Sequence, residues 1–182
     1  MSGSPTADVS VRIAWADDAP AVAAVQVRAW RDQYATVLPA DVLAADDGQV
    51  AEAWRTAMTR PADARNRVLV ALERNRVCGF AVTTPATDPD CDPIADGELA
   101  ELLIDPAEVG KGHGSRLLQA VADTLVADRF IRAVTWTMAT DDARRGFLTS
   151  AGWASDSAHR ELDLDGSGST TVKQVRLHTA LA

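Results

Sequence analysis

The chain has 182 residues, of which 47% are hydrophobic, a size and composition typical of one compact domain. Its formal net charge is -8 and its sequence pI is about 4.8. Surfaces that bind nucleic acid or anionic lipid without sequence preference need dense Lys and Arg, so neither nucleic acid nor membrane is expected as a partner. Net negative charge also maintains solubility, and by itself it identifies no chemistry.

Cysteine content and the amino terminus indicate the compartment. Cys78 and Cys91 are the only cysteines, too few for a disulfide scaffold, which favours a reducing compartment. The first residues lack a basic start and an apolar signal segment, and no uninterrupted apolar run reaches membrane length. These features predict a cytoplasmic protein with a flexible leader at residues 1–8 and a single domain at residues 9–182.

The first half of the chain alternates between strand and helix patterns. Residues 9–13 alternate apolar with polar side chains, as a half-buried strand does. Apolar residues then recur at three- and four-residue spacing up to about Tyr34, and again over residues 50–58, which predicts two amphipathic helices. The segments 68–73 and 77–84, joined by a short turn, predict an antiparallel hairpin.

The second half continues this alternation. Residues 98–105 are predicted to form a strand, a strongly amphipathic helix begins at Gly114, and residues 134–138 alternate as the next strand. The segments 161–164 and 172–177 predict a final hairpin. This order of elements predicts an α/β (α+β) domain built on a mixed sheet.

A glycine-rich turn separates the strand at residues 98–105 from the helix that follows. Gly110, Gly112 and Gly114 can adopt backbone angles closed to other residues and let a ligand approach closely. Free N–H groups at the start of the helix, together with Lys111, favour a phosphate-bearing ligand. The glycine spacing differs from that of a Walker loop and of a dinucleotide fingerprint. A nucleotide-phosphate binder of another fold is one alternative.

Three segments resemble those of a known family. The acetyl-CoA binding motif of the GCN5-related N-acetyltransferases (GNAT) is similar to Glu98-Leu99-x-x-Leu102-x-Ile104-Asp105-Pro106 followed by Gly110-Lys111-Gly112-His113-Gly114. The first helix of many bacterial members resembles Trp30-Arg31-x-x-Tyr34, and the turn before the family's terminal hairpin resembles Ala151-Gly152-Trp153. With the matching order of elements, the resemblance covers nearly the whole chain.

The resemblance implies both an architecture and a cosubstrate. The architecture is a mixed, mostly antiparallel sheet of six to seven strands, with helices on both faces and a splayed central parallel strand pair. The cosubstrate is acetyl-CoA, whose pantetheine arm pairs like an extra strand with unpaired backbone at the end of the motif strand. The implied cofactor-binding residues are Leu102, Leu103, Ile104, Val109, Gly110, Lys111, Gly112, His113, Gly114 and Ser115.

Acetyl transfer to an amine requires a base, because a lysine-like amine with a pKa of about 10.4 is almost wholly protonated at pH 7. The resemblance makes Glu98 the first candidate for the general base, and Glu101 is the second. Their odd spacing places them on opposite faces of an ideal strand unless a bulge re-aims the chain. Backbone N–H groups near Leu103 are expected to polarise the thioester oxygen.

Two positions depart from the family pattern. Many members have Gln or Arg where this chain has Val109, and Lys111 is the expected substitute at the phosphates. Members often have a Tyr that protonates the departing thiolate where this chain has Leu148. Tyr34, Ser150 and water are the candidate replacements, and Trp30 and Tyr34 are expected to line the acceptor pocket. The alternative to an enzyme is a catalytically silent domain that binds a CoA ester for sensing or interaction.

The remaining features concern metals and partners. The histidines and cysteines lack metal-ligand spacing, so no metal is expected. The expected acceptor is a small-molecule or peptide amine, whose identity the sequence leaves open because acceptor pockets in this fold are built from variable loops. The sequence is compatible with a homodimer and does not fix the oligomeric state.

Overall fold

The computed structural model describes residues 8–182, in which seven strands form one sheet. The strands are β1 (Val9–Ile13), β2 (Arg67–Glu73), β3 (Arg76–Pro85), β4 (Asp96–Ile104), β5 (Arg132–Met138), β6 (Ala154–Asp163) and β7 (Thr171–Ala180). The helices are α1 (Ala19–Gln33), α2 (Ala40–Leu43), α3 (Asp47–Thr59), α4 (His113–Ala127) and α5 (Asp142–Ser150). Short 3-10 turns at Ala16–Asp18 and Pro106–Glu108 precede α1 and α4.

The strand order across the sheet is β1-β2-β3-β4-β5-β7-β6. Only β4 and β5 run parallel, and every other neighbouring pair is antiparallel. This confirms the predicted mixed, mostly antiparallel sheet of six to seven strands. The terminal hairpin, β6–β7, is longer than the segments predicted for it. Much of β6 is exposed, so its sequence carries little of the apolar alternation that reveals a half-buried strand.

Side chains alternate across the sheet and build a core on each face. On one face Val70, Phe80 and Leu103 pack with the apolar stripe of α1. On the other face Leu69 and Leu99 pack with the apolar stripe of α4 and with α5. Helices therefore lie on both faces of the sheet, as predicted.

Two further expectations concern the leader at residues 1–8 and the lack of a membrane-spanning segment. Residues 1–7 of the predicted leader lie outside the described part of the structure. Asp8 is joined to the β2–β3 turn, because its carbonyl accepts a hydrogen bond from the Arg74 N–H at 2.8 Å. Within residues 8–182, every helix is too short or too polar to cross a bilayer.

The parallel ladder between β4 and β5 is short, although both strands continue beyond it. The paired residues are Asp96, Gly97 and Glu98 with Arg132, Ala133 and Val134. Just past the ladder, the buried Thr135 hydroxyl donates to the Leu99 carbonyl at 2.7 Å. From there β5 pairs with β7 alone, and β4 runs on to Ile104 beside β3. The two strands therefore open into a wedge, which confirms the predicted splayed pair.

Gly79 on β3 fixes the position of β4 along one side of this wedge. A Cβ atom added at Gly79 would lie 2.8 Å from the Leu103 carbonyl oxygen and 2.6 Å from Ile104 Cδ1. Any larger residue would have to push the backbone of β4 away. A glycine at this position therefore permits the close approach that holds the end of β4 in place.

Candidate active site

A cleft of about 810 Å³ occupies the wedge between β4 and β5, a volume typical of sites for small molecules and cofactors. Its walls come from the end of β4, the glycine-rich turn, the first turn of α4 and the start of α5. Most of the predicted cofactor-binding residues line it, namely Leu102, Ile104, Val109, Gly110, Gly112, His113, Gly114 and Ser115. Leu103 and Lys111, also predicted, are outside this lining.

Along β4, the backbone N–H and C=O groups of successive residues point alternately toward β3 and toward the cleft. The Asp105 N–H donates to the Cys78 carbonyl at 2.8 Å, and in an antiparallel ladder the next such pair is Leu103 with Phe80. Leu103 was expected to offer unpaired backbone, and the structure instead places its polar groups in the β3 ladder. Leu102 and Ile104 face the cleft.

Of these two cleft-facing residues, Leu102 already has side-chain partners. Its carbonyl accepts from Arg144 Nη1 at 2.8 Å, and its N–H donates to Glu101 Oε1 at 3.0 Å. Ile104 is one pleat further along β4 and turns its backbone toward the open cleft. The backbone available to the pantetheine arm is therefore shorter than the three residues expected, because Arg144 and Glu101 already bond that of Leu102.

The other end of the cleft meets the amino terminus of α4. Gly110 and Gly112 adopt left-handed backbone angles, with φ of 81° and 84°, as the turn requires. The first intrahelical bond runs from the Arg116 N–H to the Gly112 carbonyl. The N–H groups of the residues before Arg116, at positions 113–115, have no partner within the helix, and they line the cleft. Free donors and the helix dipole together make this end suitable for a diphosphate.

Lys111, the predicted substitute for a polar residue at position 109, is held by a carboxylate. Its Nζ lies 2.8 Å from Glu108 Oε2, and Arg76 Nη1 lies 2.7 Å from Glu108 Oε1. The two cations hold the pKa of the buried Glu108 carboxyl at about 2. Val109 is 62% exposed beside them. The Arg116 guanidinium, whose Nη1 donates to the Lys111 carbonyl at 3.2 Å, is a cation at this turn that the sequence did not single out.

Glu108 gives a testable pH dependence of stability. Glu108→Gln should lower the melting temperature by about 4 °C at pH 7, because two charge-assisted hydrogen bonds are lost. The folded pKa of about 2 is below the ordinary 4.5, so this stabilisation is complete above pH 4.5 and is lost as the pH falls toward 2. In thermal melts of both proteins, the difference in melting temperature should therefore begin to shrink below pH 4.5 and be smaller at pH 3 than at pH 7.

A matched control for this experiment is Glu161→Gln. Glu161 pairs with Lys173 at 4.0 Å, and its side chain is 59% exposed, so its removal should leave the melting temperature unchanged. A difference between wild type and Glu108→Gln that stays constant from pH 7 to pH 3 would contradict the assignment of the low pKa to Glu108.

The His113 side chain is turned away from the cleft. Its ring is only 1% exposed, with Nε2 3.7 Å from Glu73 Oε2, and only the backbone of this residue is suited to contact a ligand. At sequence level it was expected in the phosphate-binding turn. Burial of the ring follows from its place as the first residue of α4, where the helix packs on β2 and β3.

A second, smaller pocket of about 180 Å³ adjoins the cleft and contains the predicted acceptor residues Trp30 and Tyr34. Its other walls come from β4, β5 and the β6–β7 hairpin, with Glu101, Trp136 and Arg144 among the lining residues. We call this the acceptor pocket. The residues that line both the cleft and the acceptor pocket are Tyr34, Val37, Met138 and Arg144. The two cavities therefore meet beside Tyr34 and Arg144.

A β-bulge decides which carboxylates face the acceptor pocket. Val82 pairs with Glu101 and Thr83 pairs with Leu99, so Ala100 is an extra residue in β4. The extra residue cancels the odd spacing and brings Glu98 and Glu101 to the same face. Glu101 lines the acceptor pocket, and Glu98 lies outside that lining, near Arg160 and Arg176.

Burial raises the pKa of three groups at this site. The pKa of Glu101 is raised by burial, and the nearby Arg144 opposes that rise. The pKa of Glu98 is raised by burial and further by the charge of Asp88. The pKa of the Tyr34 phenol is also raised by burial, so the hydroxyl stays protonated at neutral pH. Carboxylates made more basic by burial are suited to accept a proton near neutral pH.

The sequence did not indicate that Arg144 belongs to the site, because no local pattern distinguishes it from the neighbouring Arg145. The Asp141 carboxylate accepts from the Arg144 N–H at 3.0 Å and caps α5, which aims the first turn of the helix at the cleft. Leu148 lies one turn further along α5, is 1% exposed and belongs to the core. Leu148, one of the two departures from the expected family pattern, is thus a core residue.

Two clusters of described residues bring metal-ligating side chains together. They are Glu73, Cys78, Glu108 and His113 in one, and Asp88, Asp90 and Cys91 in the other. Arg76 and Lys111 occupy the oxygens of Glu108, and Arg176 binds both Asp88 and Asp90. Cationic side chains therefore already neutralise these carboxylates, and neither cluster is organised as a metal site.

The fold and the two adjoining cavities are suited to a transferase whose donor bears phosphate. The sequence matches the model of the Acetyltransferase (GNAT) family over residues 24–153. The chain belongs to this family and is an acetyl-CoA-dependent N-acetyltransferase. A search of curated proteins found no match.

Solved structures share the fold at low sequence identity. YncA, described as an acetyltransferase, from Salmonella typhimurium with acetyl-CoA superimposes with a TM-score of 0.72 at 20% identity, over 96% of this chain and 94% of that one. PaiA N-acetyltransferase from Thermoplasma acidophilum with coenzyme A gives 0.73 at 14% identity, over 94% and 98%. Ribosomal-protein-alanine N-acetyltransferase from Brucella melitensis gives 0.73 at 19% identity, over 94% and 99%.

Proposed function

We propose that the protein transfers the acetyl group of acetyl-CoA directly to a small-molecule or peptide amine that enters through the acceptor pocket. The observation that carries this proposal is the junction at Tyr34 and Arg144, where the cleft and the acceptor pocket meet. Donor and acceptor held in two adjoining cavities can react without diffusion, which lowers the entropic part of the barrier.

The donor is held at the two ends of the cleft. The N–H groups at positions 113–115 bind the diphosphate, with Arg116 as a nearby cation. The backbone of Ile104 bonds the pantetheine arm, as an added strand would. Gly110 and Gly112 keep the turn free of side chains, and Val109 offers an apolar contact.

Glu101 is the proton acceptor for the amine. Its carboxylate lines the acceptor pocket, so it attracts the acceptor's ammonium group and can remove a proton from it. Tyr34 is beside it at the junction, where its protonated hydroxyl can orient the acceptor, and Trp30 supplies an apolar wall. Glu98 is the alternative base and would have to act through water.

Direct transfer is favoured over a covalent acetyl-enzyme. An acetyl-cysteine intermediate would need a thiol beside the thioester, and Cys78 and Cys91 are outside the linings of both cavities. Both cysteines are free thiols in the structure, which also supports a reducing, cytoplasmic location. All seven strands of residues 9–182 belong to one sheet, which supports a single domain.

A mass-spectrometric assay with acetyl-CoA and a panel of small amines and amino-terminal peptides tests this function. We expect an acetylated amine in amounts equal to the CoA thiol released, and unmodified protein when the amine is omitted. Thiol release that ignores the amine, or CoA binding without any acetylated product, would instead favour a silent CoA-binding domain.

A further inference from the structure

At position 148 the family resemblance implies a Tyr that protonates the departing sulfur, and this chain has Leu there. Leu148 has no ionisable group, and its side chain is buried in the core. The side chains of α5 that line the cleft include Phe147, which is apolar, and Arg144, which lies four residues before Leu148 and so on the same helix face. The Arg144 guanidinium is therefore one helical turn away from position 148, where the expected proton donor is absent.

Arg144 is held at the junction by two contacts. Nη1 lies 2.8 Å from the Leu102 carbonyl oxygen and 3.8 Å from Glu101 Oε1, and the side chain is only 16% exposed. The charged or titratable groups beside it include Glu101 from β4, Tyr34 directly after α1, and Asp141, whose carboxylate accepts from the Arg144 N–H. Of the four residues shared by the cleft and the acceptor pocket, Arg144 is the only one with a permanent charge.

We propose that Arg144 is a catalytic residue that stabilises the departing CoA thiolate electrostatically, in place of a proton donor at position 148. This proposal rests on the proposed function. As the C–N bond forms, the C–S bond breaks and its electron pair goes to sulfur. One proton of the ammonium passes to Glu101, and the second, on the attacking nitrogen, reaches sulfur through water.

During this step negative charge moves from Glu101 to the sulfur, and both groups lie beside Arg144. Before the reaction the guanidinium is paired with the Glu101 carboxylate. Once Glu101 has taken a proton it is neutral, so the guanidinium loses this ion pair as the thiolate develops. The guanidinium carries a fixed positive charge, so it supplies no proton to the sulfur. Its contribution is therefore to stabilise charge, in a site where burial strengthens that interaction.

The test measures the pKa of the thiol of bound CoA, in the absence of an amine and therefore of turnover. Thiolate absorbance in the ultraviolet is titrated for CoA bound to wild type, Arg144→Gln, Arg144→Lys and Arg145→Gln. Gln can still donate to the Leu102 carbonyl without carrying a charge, whereas Lys restores the charge. Arg145 lies outside both cavity linings and contacts Ala139 and Asp142, so Arg145→Gln is the matched control.

We expect wild type to hold the bound thiol pKa below the value of about 8.5 for a free thiol, and Arg144→Gln to raise it by about one unit. The kcat for acetyl transfer should fall about tenfold in Arg144→Gln, with the KM for acetyl-CoA little changed. Arg144→Lys should recover most of both effects, and Arg145→Gln should match wild type.

Equal bound-thiol pKa values in wild type and Arg144→Gln would overturn the proposal. If Arg144→Gln fails to fold, wild type alone decides, because a bound thiol pKa at or above the free value contradicts a cation beside the sulfur. Absence of product with every amine would overturn the proposed function, whereas the thiol titration would still test the contact between Arg144 and sulfur.

Discussion

Ser115→Glu should weaken acetyl-CoA binding about 100-fold while the protein stays folded. Ser115 is the exposed third residue of α4, and it lines the diphosphate end of the cleft. A carboxylate in the first turn of a helix is favourable for the helix itself, so the fold should tolerate it. Two like charges about 4 Å apart near a protein surface repel by about 4 kcal/mol, and salt reduces this to roughly the 2.7 kcal/mol that a 100-fold loss requires.

Calorimetric titration with CoA measures this effect, and Ser115→Gln is its control. Gln has nearly the size of Glu without the charge, so its Kd should stay within about threefold of wild type. Thermal melts of the three proteins without ligand should agree closely. Equal CoA affinity for Ser115→Glu and Ser115→Gln would show that the diphosphate lies elsewhere.

Glu101→Gln should lower kcat/KM about 1000-fold at pH 7. A positioned general base contributes about 100- to 10,000-fold, and the amide of Gln cannot take a proton from an ammonium group. Because Glu101 must be ionised to act, wild-type kcat/KM should fall as the pH drops through its raised pKa, above the ordinary 4.5. Glu101→Gln should lose this acidic limb and gain activity only as the amine itself deprotonates at high pH.

Glu98→Gln tests which of the two carboxylates is the general base. Glu98 is on the same face of β4 but outside the acceptor-pocket lining, so we expect less than about a tenfold loss. Steady-state rates from pH 5 to pH 10 would compare both variants with wild type. A larger loss in Glu98→Gln, with the acidic limb removed there and kept in Glu101→Gln, would assign the base to Glu98.

Features set by local sequence were predictable. The alternation of strand and helix follows from hydrophobic periodicity, and the left-handed turn follows from Gly110 and Gly112. The splayed pair was predictable only through the family resemblance, since no local pattern indicates that a ladder stops after Glu98.

Features that depend on distant contacts were not predictable. Glu108 pairs with Lys111 and also with Arg76 from β3, and no spacing in the sequence relates Arg76 to the turn. The bulge at Ala100 becomes visible only in the pairing of β4 with β3. It brings Glu98 and Glu101 to the same face of the sheet, where Glu101 lines the acceptor pocket and Glu98 does not. Arg144 reaches Leu102 across 42 positions of sequence.

A crystal structure with an unreactive acetyl-CoA analogue tests the central claim most directly, that the wedge between β4 and β5 is the donor site. We expect the diphosphate to accept hydrogen bonds from the N–H groups at positions 113–115, and the arm to bond the backbone of Ile104. The thioester carbonyl should then lie at the junction beside Tyr34 and Arg144. A diphosphate bound away from α4, or an arm lying outside the wedge, would contradict the claim.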